Sequence, residues 1–291
     1  MKHVFILLFS FFFLTACSLN SSSNSSSDSS ALYIENKGSD TIVNLALAWA
    51  ERYQSQHPDV RISVTGGGSG TGIASLINGT VDIANASRQI KQEEIDDAKS
   101  NGIEPVEHII ARDAIAVIVN PENPVHQLTL QQISDIYSGK ITNWTEVGGD
   151  DRPIVKLSRE TNSGTHVYFL ETVLRLGNSE DETLFSMDTL LLPSSEGIIA
   201  EVRQNPNAIG YDGLGYVPDD LKMIAIAKES DQYVLPSIST VNDKSYPIAR
   251  DLYMYTNGEP TGVIQEYLEW ILSDEAQEIV AELGFVPVDS E

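Results

Sequence analysis

The sequence predicts an α/β fold arranged as two lobes. Short apolar and β-branched runs alternate with amphipathic helical segments from residue 31 onward, the pattern of strands covered by helices. The chain has 291 residues and a single cysteine, so stability must come from buried apolar surface, and a chain this long readily divides it between two lobes. Loops rich in Gly, Ser and Thr recur between a strand and the helix that follows.

The amino terminus reads Met1-Lys2-His3 and then an apolar run, Val4–Leu14, broken only by Ser10. A basic start and an apolar stretch of this length fit a secretory signal over residues 1–16; a membrane-spanning helix needs ~20 apolar residues. Leu14-Thr15-Ala16-Cys17 resembles a bacterial lipobox, so Cys17 is the expected site of lipidation. Ser18 to Ser30 is almost entirely Ser and Asn, which cannot bury enough surface to offset chain entropy. Residues 17–30 are therefore expected to be a tether. The expected location is outside the cytoplasm, as a membrane-anchored lipoprotein facing the periplasm or the outer cell surface.

Leu32–Glu35 reads as a strand. The helix after it carries Ile42, Leu45, Ala46, Trp49 and Tyr53 on one face at helical spacing. Arg61–Thr65 is a predicted strand, Thr71–Asn78 a helix, Val81–Ala84 a short strand and Lys91–Asn101 a polar helix. Ala114–Asn120 is apolar on every residue up to Val119, as a strand covered on both faces would be. Then follow helix Leu130–Tyr137, strand Ile154–Leu157, and helix Thr165–Leu176 with Val167, Leu170, Val173 and Leu174 inward. Helix Gly197–Gln204 and strands Met223–Ala227 and Asp251–Tyr255 continue the alternation. The chain ends in helices, the first with Val263, Tyr267, Trp270 and Ile271 on one face and the second over Asp274–Leu283. Lobe limits of 31–114 with 247–291, and 115–246, follow from this reading, with crossovers near Ala114–Asn120 and Tyr246–Tyr255.

Charge narrows the function. The formal net charge is −24; loss of residues 1–16 removes Lys2, leaving 17 basic against 42 acidic side chains, or −25. Nucleic acid is an improbable partner for such a surface. An anion would also be repelled at long range, so an anion site must work through short-range bonds from backbone N–H and hydroxyl groups.

Three loops have that design: Gly38-Ser39-Asp40-Thr41, Gly66-Gly67-Gly68-Ser69-Gly70-Thr71-Gly72, and Thr161-Asn162-Ser163-Gly164-Thr165. Each puts hydroxyls and free N–H groups at a helix N-terminus, where the macrodipole favours negative charge. Ordinary N-capping accounts for any one of them alone. Capping does not need so many glycines as the second loop holds, whereas wrapping main chain around an anion does. No Lys-Ser/Thr follows at P-loop spacing, and no nucleotide-binding context follows a Rossmann-like trace. Arg159, four residues before Ser163, is placed to give bidentate bonds to a tetrahedral oxyanion, the plainer alternative being a surface pair with Glu160 or another carboxylate.

These segments, with Asp82-Ile83-Ala84-Asn85-Ala86-Ser87-Arg88, Ile141-Thr142-Asn143-Trp144, Ala208-Ile209-Gly210-Tyr211 and Gly284-Phe285-Val286-Pro287, resemble in order the phosphate-binding component of phosphate ABC transporters. The resemblance runs from about residue 33 to Val288. It implies a periplasmic-binding-protein-like fold of type II, two α/β lobes joined by a hinge of crossover strands that closes on the ligand. It assigns to phosphate Ser39, Asp40 and Thr41; Ser69, Gly70 and Thr71; Ser87; and Arg159, Ser163, Gly164 and Thr165. It implies ABC permease subunits as partners, a monomer, and no cofactor.

The pattern departs at Ala86-Ser87-Arg88, where some members carry an aspartate that accepts the proton of phosphate and so rejects sulfate. A phosphate O–H facing only donors would be an unsatisfied buried group costing ~1–3 kcal/mol. Asp40 is the first substitute acceptor and Asp113 the second, with helix capping the plainer role for Asp40; Arg88 adds a second positive charge or orients a carboxylate. His57, His108, His126 and His166 lack metal-ligand spacing, so no metal is expected. Trp49, Trp144 and Trp270 read as packing residues. Ser163 lacks a nucleophile elbow and an identifiable His–Asp pair, so an enzyme is not expected. The competing readings are another oxyanion (sulfate, molybdate or tungstate), an exported phosphatase, and a surface adhesin or signalling protein.

Overall fold

The computed structural model describes residues 32–229 and 231–288. The expected signal segment, Cys17 and the Ser/Asn-rich tether lie outside the described residues.

The element order is an α/β alternation. Strand β1 (Leu32–Gly38), helix α1 (Asp40–Gln56), β2 (Val60–Thr65), α2 (Ser69–Ile77), β3 (Ile83–Ala86) and α3 (Gln92–Ser100) lead into a long strand, β4 (Pro105–Val119). Then come β5 (Gln127–Thr129), α4 (Leu130–Tyr137), β6 (Val155–Arg159), α5 (Gly164–Phe169), β7 (Leu190–Leu192), α6 (Ser195–Gln204) and β8 (Ala208–Gly213). The chain closes with β9 (Lys222–Met223), β10 (Ala225–Ala227), α7 (Ile238–Asn242), β11 (Ala249–Asn257), α8 (Gly262–Ile271) and α9 (Asp274–Glu282).

The main sheet runs β2-β1-β3-β11-β4-β8-β6-β7, and β9 also pairs with β4. The β1, β2 and β3 ladders are parallel, as are those of β6 with β7 and β8, while β11 and β4 cross between the two groups in antiparallel pairing. Strand β4 changes partner along its length: Pro105–Ala114 pair with β11, and Ile115–Val119 pair with β8. It therefore belongs to both lobes. That role explains its burial pattern, which becomes continuous from Asp113 to Val119 where helices cover both faces.

Two large apolar clusters flank this crossover. One gathers Ile34, the inward face of α1 and residues of α8 and α9; the other gathers β4 from Ala114 with α4, Trp144, Phe169 and Tyr211. The α1 face expected from spacing is buried in full: Ile42, Leu45, Ala46, Trp49 and Tyr53. At ~1.5–3 kcal/mol for each fully buried large apolar side chain, that face alone fixes α1 against the sheet.

The structure shifts several expected bounds. The third strand is Ile83–Ala86, because the Asp82 carboxylate is taken by the backbone N–H of Glu35 before pairing begins. The expected helix Thr165–Leu176 is α-helical only to Phe169, widens into a π-turn over Leu170–Leu174, and stops at Leu176, whose φ is 52°. Strand β8 was not expected as a strand. Its sequence, Ala-Ile-Gly-Tyr-Asp-Gly, lacks a two-residue alternation because all six residues are buried.

Candidate functional site

Every loop singled out in the sequence leaves the carboxyl end of a strand in the main sheet. Residues 39–41 follow β1, 66–71 follow β2, Ser87 follows β3, and 160–165 follow β6. In open α/β sheets, ligands settle in the crevice beyond those ends. The crossover strands then bring the ends of the two lobes face to face.

The contacts across this cleft are direct. Thr41 Oγ1 lies 2.8 Å from Thr165 Oγ1, both buried. The Gly70 amide donates to the Asn162 carbonyl at 3.1 Å, and Asn162 Nδ2 donates to the Gly67 carbonyl at 2.9 Å. Gly164 packs so tightly against Ser69 and Ser87 that a β-carbon there would stand 2.5 Å from Ser87 Oγ and closer still to Ser69 Oγ. Gly68, with φ of 90°, likewise would bring a β-carbon within 2.8 Å of the Asn162 carbonyl oxygen. Part of the glycine richness therefore answers to the close approach of the opposite lobe.

Individual side chains take the following places. Ser39 is the N-cap position of α1 and is buried, yet its side chain makes no capping bond. Asp40 occupies the first helical position and does not cap either. Its Oδ1 accepts from the Gly67 amide at 2.8 Å and its Oδ2 accepts from Arg159 Nη2 at 2.7 Å. Ser69 Oγ accepts from the Ser87 amide at 3.0 Å and sits 3.3 Å from Ser87 Oγ. Thr71 points back into its own loop, donating to the Gly67 carbonyl at 2.6 Å. Ser163 caps α5 by accepting from the Thr165 amide at 3.2 Å. All eleven expected residues lie in or beside one cleft, with Thr71 at its edge.

Arg159 is not a surface arginine paired with Glu160. It is 1 % exposed, bonded by Nη1 to Ser195 Oγ at 2.9 Å and by Nη2 to Asp40 and to the Pro193 carbonyl. Its guanidinium thus bridges the two lobes. Arg88 resolves to the second of its two expected roles: its fork holds Glu94 at 2.7 and 2.8 Å, and Glu94 in turn accepts the Lys91 amide at the start of α3.

The second cation of the cleft is Arg250, which sequence reasoning missed. It stands opposite Asp113 in the β4–β11 register and donates to Asp113 Oδ2 at 2.9 Å. Its Nη1 donates to the Ser87 carbonyl and its Nη2 reaches Thr165 Oγ1 at 2.9 Å and Thr41 Oγ1 at 3.4 Å. One guanidinium on the hinge therefore touches both lobes. Only the pairing of two strands distant in sequence reveals it.

Three buried or half-buried carboxylates face these two cations: Asp40, Asp113 and Asp212. Burial pushes Asp113 above the ordinary carboxylate range despite Arg250. Asp212, fully buried at the end of β8, is pushed up to about 6 by burial, against the pull of Arg159. Among the described residues no group of His, Cys, Asp and Glu is arranged to hold a metal ion, and no helix is long and apolar enough to cross a membrane. His166 is buried, 3.0 Å from Ser158 Oγ, and burial lowers its pKa; it stands in the packing behind β6.

A sequence profile described as a PBP superfamily domain matches residues 23–275. The phosphate-binding protein PstS of Bacillus subtilis is 34% identical over 252 residues, spanning 86% of this chain and 79% of that protein. The PstS of Pseudomonas aeruginosa is 32% identical over 269 residues, spanning 86% and 81%. The chain belongs to the PstS family of phosphate-binding proteins, within the PBP superfamily. Among solved structures, a candidate phosphate ABC transporter substrate-binding protein from Clostridium perfringens, with bound phosphate, superposes with a TM-score of 0.78 at 36% identity, covering 88% of this chain and 100% of that one. An ABC-type phosphate transport receptor from Vibrio cholerae gives 0.71 at 28% identity, covering 88% and 100%. Membership of the PstS family agrees with the type II two-lobed fold and with the placement of the polar loops at one cleft.

Proposed function

We propose that this chain captures inorganic phosphate between its two lobes and delivers it to the permease of an ABC transporter. The observation that carries the reading is the convergence of strand-end loops from both lobes, with their hydroxyls and amides, on a cleft that also holds Arg159 and Arg250. The names of the PstS relatives and the phosphate in the C. perfringens structure support the choice of anion.

Within this reading, Ser39, Asp40, Thr41, Ser69, Gly70, Thr71, Ser87, Arg159, Ser163, Gly164 and Thr165 are the proposed phosphate-binding set. Ser69, Ser87 and Gly164 meet in close contact across the cleft, so a tetrahedral anion entering there would part them and take their bonds. Net negative charge on the chain makes these short-range donors the source of affinity, strengthened as closure excludes water. Lobes of 31–114 with 247–291, and 115–246, are the proposed moving bodies, with the partner switch of β4 supporting a hinge at Ala114–Ile115. We further propose lipidation at Cys17, a tether over 17–30, a site of action outside the cytoplasm, and a monomer that carries ligand without transforming it.

Titration calorimetry of the purified protein against phosphate, sulfate, molybdate and arsenate tests the assignment. Phosphate is expected to bind with a one-to-one stoichiometry and sulfate at least about a hundredfold more weakly, a gap of ~2.7 kcal/mol. Preference for sulfate or molybdate, or no binding of phosphate, would overturn the assignment.

A further inference from the structure

Two orphaned polar atoms share the buried ion cluster of the cleft. Asp212 Oδ2 and Arg159 Nε are both shielded from solvent and have no hydrogen-bond partner among the described residues. The other carboxylate oxygens of the cluster are engaged: Asp40 by Gly67 and Arg159, Asp113 by Leu214 and Arg250, and Asp212 Oδ1 by Ser195 and the Gly213 amide. Asp212 Oδ2 lies 4.0 Å from Arg159 Nη1, beyond hydrogen-bond length, so the same guanidinium that presents a free donor flanks the free acceptor.

One acceptor and one donor, each costly to leave unmade, call for a guest that carries both senses. A protonated tetrahedral oxyanion does: an unprotonated oxygen accepts from Arg159 Nε, and its O–H donates to Asp212. A fully deprotonated oxyanion satisfies the arginine and sets an oxygen lone pair against a carboxylate oxygen. We infer that Asp212 is the specificity-determining residue of this cleft, accepting the hydrogen of a proton-bearing oxyanion and rejecting anions that carry none. The inference rests on the phosphate reading and adds the residue that enforces it. Asp40 and Asp113, the acceptors expected from sequence, have their oxygens already committed to the lobe bridge and the hinge.

Three carboxylates meet two guanidiniums in this cluster, so its charge weighs equally on monohydrogen phosphate and sulfate, both dianions at pH 8, and the hydrogen presented to Asp212 is what separates them. The charged and titratable groups that face Asp212 are Arg159 from β6, Asp113 from β4, Tyr211 on its own strand and Tyr216 in the turn that follows, with neutral Ser195 contributed by α6. Both tyrosines stay neutral, their hydroxyls raised by burial; burial raises Asp113 as well, and pushes Asp212 up to about 6.

The test compares phosphate and sulfate binding by calorimetry at pH 8 for the unsubstituted protein and for Asp212→Asn. Asparagine in the same pose keeps its oxygen for Ser195 and Gly213 and puts an NH2 where Oδ2 stood, so sulfate gains a donor and phosphate loses its acceptor. The phosphate-to-sulfate affinity ratio is expected to fall at least about tenfold, the worth of one buried unsatisfied group. An unchanged ratio in a folded variant would overturn the role of Asp212 while leaving phosphate binding itself standing. No phosphate binding by the unsubstituted protein would overturn the functional reading and this assignment with it. A second measurement needs no variant: sulfate carries no proton from pH 8 to pH 5, so its affinity for the unsubstituted protein should rise about tenfold as Asp212 takes up a proton near pH 6 and becomes a donor. Sulfate affinity that stays flat across that range would equally overturn the inference.

Discussion

Replacing Arg159 by alanine is expected to lower phosphate affinity by roughly thirtyfold to several thousandfold, the ~2–5 kcal/mol lost when one member of a buried hydrogen-bonded charge pair is truncated. The guanidinium is 1 % exposed and holds Asp40, Ser195 and the Pro193 carbonyl at once. Its loss removes a donor to the anion, frees the Asp40 carboxylate to repel it, and cuts a bond between the lobes. Lysine should not rescue the site, because a point charge on a flexible stem cannot serve three partners in the plane of a fork. Calorimetry of Arg159→Ala and Arg159→Lys checks this; affinities within twofold of the unsubstituted protein would show that the anion is held without the guanidinium.

The largest effect on stability is expected from Arg250→Ala. Its partner Asp113 is fully buried on the hinge strand, and breaking a buried pair from one side costs ~3–5 kcal/mol. For a chain of this size, with ~2–4 °C per kcal/mol, the melting temperature should fall by roughly 6–20 °C. The pH dependence has a definite sign. Burial already raises the Asp113 carboxyl, and loss of Arg250 removes the pull that opposes it. A folded-state pKa above the unfolded one means that the folded state binds the extra proton, so the variant regains stability as pH falls from 8 toward 5. Adding Asp113→Asn should restore most of the loss at pH 8, since no charge is then left unpaired. Thermal melts of the single and double variants check both points; a shift under ~2 °C for Arg250→Ala would mean that the pair contributes little to the hinge.

The fold was legible where one principle dominated. The buried face of α1 is written in the spacing of Ile42, Leu45, Ala46, Trp49 and Tyr53, and α4 begins where expected because Thr129 and Gln132 cap each other reciprocally. Legibility failed where tertiary context decided. The β8 residues carry glycines and an aspartate that weaken any strand signal, yet both faces of that strand are covered. The amino-terminal half of β4, Pro105–Asp113, mixes charged and apolar residues and gives no sign that it pairs with β11.

The site divides in the same way. Loops at strand ends announce themselves through Gly, Ser and Thr, and the order of those motifs was enough to bring Ser39, Ser69, Ser87 and Thr165 to one place. Arg250 and Asp212 carry no local signature. Asp212 is the one charged residue of β8 and Arg250 sits beside Asp251 in β11, and the meaning of each comes from a partner far along the chain: Arg159 for the first, Asp113 for the second. The sequence around Asp40 points to a helix cap or an acceptor for the ligand's proton. Its observed role joins the two lobes, through Gly67 on one side and Arg159 on the other.

The central claim is that one oxyanion is held by groups from both lobes at once. A crystal structure of the protein grown with phosphate tests it most directly. The account predicts a single phosphate within hydrogen-bond distance of Ser69 and Ser87 on one side and of Arg159 and the 163–165 turn on the other. Phosphate bound by one lobe alone, or at any place outside that cleft, would contradict it.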